Sequence, residues 1–458
     1  MQQQLTASDP RWRSALWRWG PLGISASGLA GTGAAFAQHW SAGGHAAGWA
    51  LPLLSLVAAT LLAAGHAFGR LPHVSLGIVS LGLALACGEL LLRATGIVPS
   101  AGTEDLFRFD GRLGWRLEPG ARVVVSSRGE YWNEVRINAA GWRDRPVQDE
   151  PPGNRPLVAV LGDSFVTNLG VRDAEVFTDR LDRDLPGASV RNFGVNGYGQ
   201  VQELLLLEEI FELQRPDLAL VVVYVRNDFD DNTGEFDWIR GYDRPHSRVG
   251  ATGELTVSSV SLRALDGGRS LGERVFGLAL YKLAQRLVFA LGTPSLAELS
   301  PDTQPPELRY CRKALGAREQ EALRTTLSVL DRMRATAWAQ GSGFAVAVAP
   351  TRWQVDAAAW HALLDRFELD PANYERQAPQ RILTSWCRGA GVPCLDLLPD
   401  LETSQREGET LYHAREQHWT AAGNAVVARS LLTWLGESGL SAQLGSEGPD
   451  SGESLARR

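Results

Sequence analysis

The sequence predicts an α/β fold: a parallel sheet with helices on both faces, preceded by about three membrane-crossing helices. Three observations predict it. Strand-like and helix-like segments alternate from Arg155 onward. Leu218–Val225 (LALVVVYV) is apolar throughout, as in a strand covered on both faces. Residues 19–88 carry one charged side chain, Arg70.

The uncharged region is long enough for several spans, since a bilayer core takes about 20 apolar residues per helix. It divides at the polar segment Gln38–His45 and again at Arg70–His73, which contains Pro72. The expected spans are therefore near 19–38, 47–68 and 74–96. Arg11, Arg13 and Arg18 precede the first span and Arg70 follows the second, while the connection between those two has no lysine or arginine. The positive-inside rule then makes residues 1–18 a cytoplasmic N-terminus and puts everything after 97 outside. The expected location is the plasma membrane, the inner one in a bacterium, with the large domain facing the periplasm or exterior.

Residues 97–155 read as a lead-in segment that packs on the main domain. Strands are expected at Arg122–Ser127 and Val135–Asn138, and a turn at Ala140–Asp144. Pro151, Pro152 and Gly153 mark a boundary. In the main domain, 156–438, strands are expected at Pro156–Leu161, Ala188–Phe193, Leu218–Val225, Gly343–Ala349 and Val392–Leu397. Helices are expected at Glu175–Leu185, Gln200–Arg215, Arg318–Gln340, Tyr374–Arg388 and Thr420–Leu435. Residues 233–316 read as an irregular insert with one apolar helix near 275–291. The Gly/Ser/Glu-rich tail, 439–458, reads as disordered.

Composition removes several functions. A formal net charge of -7 argues against nucleic-acid binding, which needs a basic surface. Of the four cysteines, Cys87 lies in an apolar stretch. Cys311, Cys387 and Cys394 show no C-x-x-C spacing and no neighbouring histidine, so no metal site is expected, and no cofactor. One disulfide among these three is compatible with an exterior location, with the pairing open.

Four motifs carry chemistry. In Val158-Ala-Val-Leu-Gly162-Asp163-Ser164 an apolar strand ends in glycine and presents a serine at a helix start, where backbone N–H groups suit a developing oxyanion. Alone, such a serine is more often a helix cap. Asn192-Phe-Gly194-Val-Asn-Gly197-Tyr-Gly199 follows the next strand, and its glycines let a backbone N–H approach a ligand. Asn227-Asp228 follows the strand Leu218–Val225, and the asparagine amide can donate to an oxyanion. Glu416-Gln-His418 precedes the last helix: histidine supplies a base near neutrality and a carboxylate can orient it. No Gly-x-Ser-x-Gly surrounds Ser164, which argues against an α/β-hydrolase.

The order and setting of these motifs resemble the SGNH (GDSL-like) hydrolase family, in a membrane-anchored form. The resemblance spans roughly 155–436 and implies a three-layer α/β/α, flavodoxin-like domain. It makes Ser164 the nucleophile and His418 the base. Gly197, with Gly194 as second choice, joins Asn227 and the Ser164 amide in the oxyanion hole; Asp163 and Asp228 are secondary candidates. Two positions depart from the family pattern: Val225 stands where glycine usually precedes the asparagine, and Glu416 stands where aspartate usually precedes the histidine. Leu113-Gly-Trp115, Pro119 and Asn138-Ala-Ala-Gly-Trp-Arg-Asp144 are similar to elements of membrane-anchored members, and are expected to act in packing.

The resemblance implies a serine esterase acting on O-acetyl or acyl esters of envelope glycans or lipids, at a lipid bilayer. An O-acyltransferase of cell-surface polysaccharide, working with a membrane protein partner, is the second expectation. A non-catalytic envelope binding or assembly protein is the third.

Overall fold

The computed structural model describes residues 71–95, 105–127, 130–145, 155–185, 187–233, 244–250, 254–258, 260, 283, 306–440 and 444. The expected spans near 19–38 and 47–68, the helix near 275–291, and most of the insert and tail lie outside these. The chain forms two units, residues 1–100 with 267–290, and 101–266 with 291–458.

In the first unit one helix is described, Leu71–Thr95, which overlaps the third expected span. It starts before Pro72, because proline fits a helix's first turn, where its missing N–H leaves no bond unmade. Its segment Val74–Leu92 is long and apolar enough to cross a membrane by length and composition. Leu76, Val79, Leu83 and Leu91 are all more than half exposed.

The second unit is built on a five-stranded parallel sheet. Strands β1 (Phe107–Asp110) and β2 (Gly114–Leu117) form one antiparallel pair, and β3 (Arg122–Ser127) and β4 (Tyr131–Arg136) another. Next come β5 (Leu157–Leu161), β6 (Ser189–Asn192) and β7 (Leu218–Tyr224). A short hairpin, β8 (Ser247–Val249) with β9 (Leu255–Val257), precedes β10 (Gly343–Ala349) and β11 (Cys394–Asp396). The main sheet runs β11-β10-β7-β5-β6, all parallel. The chain therefore goes outward from β5 to β6 and then crosses back to β7 on the other side of β5. Loops leaving the strand ends on either side of such a reversal diverge and leave a crevice.

Side-chain alternation separates two cores. Val158, Val160, Leu220, Val222, Ala345 and Ala347 face helices Phe177–Asp184, Leu398–Arg406 and Ala421–Glu437. Ala159, Leu161, Val221, Val223, Val346 and Val348 face helices Gln200–Leu213, Ala317–Ala339 and Ala378–Ala390. This is the expected three-layer α/β/α arrangement, and each buried Val or Leu contributes about 1.5–3 kcal/mol.

The lead-in segment packs on the second core through Leu106, Leu113, Trp115 and Val123. Trp115 Nε1 donates to the Asn196 carbonyl at 3.0 Å and the Tyr198 hydroxyl to the Trp115 carbonyl at 2.5 Å. Asn138 Oδ1 accepts from the N–H groups of Ala140 and Trp142, both at 3.0 Å. That tightens the turn in which Gly141 adopts φ +88°.

Several boundaries differ from expectation. The strand placed at Val135–Asn138 is Tyr131–Arg136, because Asn138 is spent on that turn. The helix placed at 175–185 begins at Phe177, after the 3-10 turn Asp173–Glu175. The helix expected from Tyr374 begins at Ala378 with Pro379 in its first turn. The insert contains the β8–β9 hairpin. Cys311, Cys387 and Cys394 are free thiols here, with no disulfide among them.

Candidate active site

Ser164 is the first residue of the short helix Ser164–Thr167, which follows β5. Asp163 caps that helix, its Oδ1 accepting the Phe165 N–H at 2.8 Å. Gly162 stands where any Cβ would lie 2.3 Å from Val166 Cγ2 and 3.1 Å from the Val222 carbonyl oxygen, so the turn takes no side chain.

His418 reaches this helix across 254 positions of sequence: its Nε2 lies 2.6 Å from Ser164 Oγ. Phe165 stacks on the imidazole with ring centroids 4.7 Å apart. The two loops are tied by Asn168, whose Nδ2 donates to the Trp419 carbonyl at 3.3 Å.

Glu416 Oε1 lies 2.6 Å from His418 Nδ1, close in distance but off the straight hydrogen-bond direction. The other oxygen accepts the His418 N–H at 3.3 Å. Gln417 between them adopts φ +68°, a left-handed conformation rare for a side-chain-bearing residue, and this folds Glu416 back onto its own histidine. An ionised carboxylate only accepts, so a proton on Nδ1 leaves Nε2 as acceptor for the Ser164 hydroxyl.

Burial works against a charged His418. The hydrogen bond and charge of Glu416, with the charge of Asp163, outweigh it and hold the imidazole above its ordinary 6.5.

The cavity in front of Ser164 is about 390 Å³. Gly197, Asn227, Glu416 and His418 line it, as do Asn196, Arg226 and Arg415. Gly197 adopts φ +77° at its rim. Gly194 does not line it: a Cβ there would lie 2.6 Å from Val166 Cβ and 2.7 Å from the Thr167 nitrogen. Gly194 thus lets β6 approach the Ser164 helix. Gly194→Ala is expected to cost about 1–3 kcal/mol by overpacking, read as a lower denaturant midpoint.

Asn227 donates its Nδ2 to Asp231 Oδ2 at 2.8 Å. Asp228 does not line the cavity; its Oδ2 accepts from the Tyr224 N–H and from Gln200 Nε2, both at 2.8 Å, which shapes the end of β7. Asp163 is buried, with Oδ2 3.2 Å from Ser164 Oγ and 3.5 Å from Asn227 Nδ2.

Beneath the site, Asp163 and Asp228 are joined by two acids that sequence patterns did not single out, Glu203 and Asp231, against the buried Arg244. Arg244 NH1 lies 2.8 Å from Asp231 Oδ1. Burial, then the charges of its acidic neighbours, push Glu203 and Asp228 well above the usual carboxylate range. Among the described residues no His, Cys, Asp or Glu group is arranged to hold a metal.

The arrangement supplies a hydroxyl, a base on it and a carboxylate on the base, next to a glycine and an amide donor. Those are the parts needed for nucleophilic attack on an acyl carbon.

Residues 310–448 match the family model described as an SGNH hydrolase-like domain, acetyltransferase AlgX. That stretch contains His418 and not Ser164. No curated protein matches the chain. Among solved structures, the chain is similar to a member of the lipolytic protein G-D-S-L family from Veillonella parvula, at 11% identity and TM-score 0.33, covering 60% of this chain and 96% of that one. It is also similar to a catalytic mutant of Axe2, an acetylxylan esterase from Geobacillus stearothermophilus, at 13% identity and TM-score 0.33, covering 62% and 95%.

Proposed function

We propose that this chain, whose residues 310–448 match an SGNH hydrolase-like domain, is a serine enzyme of acyl esters, with Ser164 as nucleophile. The observation that supports this most is the 2.6 Å contact between Ser164 Oγ and His418 Nε2. In the reaction, Ser164 Oγ bonds to the ester carbonyl carbon as its proton passes to His418 Nε2. The Gly197 and Ser164 N–H groups and Asn227 Nδ2 stabilise the oxyanion. The departing alcohol takes the proton from His418. Water, activated by the same imidazole, then releases the acid and restores Ser164. Glu416 keeps Nδ1 protonated and stabilises the imidazolium.

The substrates we favour are O-acetyl or acyl esters of envelope glycans or lipids, met at a bilayer to which the apolar N-terminal region tethers the enzyme. The exposed apolar helix Leu71–Thr95 supports a tether. The arginines flanking the uncharged run favour a catalytic domain outside the plasma membrane.

A second reading has its own support, because the matching family model is named for an acetyltransferase. There a sugar hydroxyl replaces water as acceptor, and a membrane protein partner supplies the acyl group. Incubating the full-length protein in detergent with p-nitrophenyl acetate and an oligosaccharide separates the two. Free acetate supports hydrolysis, acetylated sugar supports transfer, and turnover of neither overturns both.

The base must be neutral to act. Activity is therefore expected to fall as pH drops through the raised His418 value, with the acid limb of kcat/KM above pH 6.5. Glu416→Gln removes the main influence that raises it, so that limb moves to lower pH. Rate also falls, by about 100-fold or more, because replacing an orienting acid by its amide can cost up to about 10⁴ in kcat. A pH–rate profile of both proteins checks this.

A further inference from the structure

We infer that Glu130, on the β3–β4 hairpin of the lead-in segment, is a positioning residue that holds the Arg415–His418 loop so that Glu416 engages His418. The inference rests on the reading of His418 as the base, and it gives the lead-in segment a part in the chemistry as well as in packing.

Glu130 sits just before β4, and both of its carboxylate oxygens are committed to the far loop. Oε1 accepts the Arg415 N–H at 2.7 Å and Oε2 accepts the Glu416 N–H at 3.1 Å, across more than 280 positions of sequence. The Ser127 hydroxyl donates to Oε2 at 2.8 Å and closes the hairpin around that carboxylate. Tyr131 follows directly. Its ring packs on His413 with centroids 4.9 Å apart, and its hydroxyl faces Glu416. His413 is in turn bound to the loop: its N–H donates to the His418 carbonyl at 2.9 Å, and its carbonyl accepts the Gln417 N–H at 3.0 Å. The hairpin therefore holds the loop directly at Arg415 and Glu416, and packs through Tyr131 on the His413 that is bonded to Gln417 and His418.

The loop needs such a grip. Glu416 meets His418 off the straight hydrogen-bond direction and with Gln417 left-handed between them, so relaxation of that one residue separates acid from base. Two charge-assisted bonds to backbone N–H groups are a direct means of preventing that relaxation. Misplacement by about 1 Å can cost a hundredfold in rate. The charged or titratable groups facing Glu130 are Tyr131, His413 and the Arg415–Glu416 loop. Those facing His418 are Glu416 and Asp163.

The test uses the full chain in detergent, with Glu130→Ala and Glu130→Gln. One readout is kcat and KM on p-nitrophenyl acetate. The other needs no turnover: the pH midpoint at which diethyl pyrocarbonate modifies His418, read by peptide mass spectrometry. Glu130→Ala is expected to lower kcat about tenfold or more with KM little changed, and to shift the His418 midpoint downward as Glu416 drifts away. Glu130→Gln keeps one acceptor oxygen and is expected to recover part of both effects. It also serves if the alanine variant does not fold.

An unchanged midpoint in the variants overturns the inference. So does an equal shift in both, which would mean that Glu130 acts through its charge alone. A wild-type protein that turns over no ester, yet shows the graded midpoint shift, sinks the proposed function and upholds the grip on the loop.

Discussion

Ser164→Ala is expected to lower ester turnover by about four to six orders of magnitude while leaving the fold intact. Removing a serine nucleophile alone costs nearly as much as removing its whole catalytic set, because the parts act as one unit. The fold is expected to survive because Asp163, not Ser164, caps the helix Ser164–Thr167. Among the described residues the hydroxyl itself bonds to His418 Nε2 at 2.6 Å and Asp163 Oδ2 at 3.2 Å. Hydrolysis of p-nitrophenyl acetate measures the loss, and an unchanged circular-dichroism melt shows that the fold is retained. Turnover that persists in the alanine variant would assign the nucleophile elsewhere.

The largest loss of stability is expected from Arg143, which is 3% exposed. Its guanidinium donates to the carbonyls of Thr167 at 2.8 Å and Val171 at 2.6 Å, to that of Asn168, and to Asp173 Oδ1 at 3.0 Å. Burial pulls its pKa down, with Asp173 partly offsetting that. Arg143→Ala leaves three buried carbonyls without their donor, at about 1–3 kcal/mol each and so a cost of about 3–5 kcal/mol, while Asp173, half exposed, turns to water. Arg143→Lys is expected to recover little, since an ammonium on a flexible stem cannot reproduce the planar fork. Denaturant unfolding of both variants measures this. The affected loop leaves the C-terminal end of the helix that begins with Ser164, so catalysis should weaken along with stability.

Arg143 separates what the sequence shows from what packing decides. Gly141-Trp-Arg-Asp144 stood out as a packing element, and Arg143 does pack. Nothing in its spacing indicated that it would bind the loop behind Ser164. Glu130 gave no local sign at all, because its partners lie more than 280 positions away. Glu203 is a similar case. It falls in a helix whose pattern marks its neighbours as core, while the acid itself would ordinarily be assigned to a solvent face. Strands β1 and β2 escaped notice because four residues each, partly exposed, show too little alternation to register. Val135–Asn138 was displaced because strand propensity does not reveal that Asn138 is committed to a turn.

Patterns confined to a few neighbouring residues were legible in the chain itself. The apolar run of β7 announced a strand buried on both faces, since an unbroken apolar stretch of that length leaves neither face for water. Gly162 before Ser164 marked a tight turn, because that depends on one residue's dihedral freedom. Which loops meet was decided only by the packed molecule. Closing a contact across hundreds of residues leaves no periodic trace in sequence; it follows from strand order, from the reversal at β5, and from buried donors finding acceptors. For that reason Ser164 and His418 could be named from motifs. The left-handed Gln417 that folds Glu416 onto His418, and the hairpin that holds their loop, emerged only from the fold.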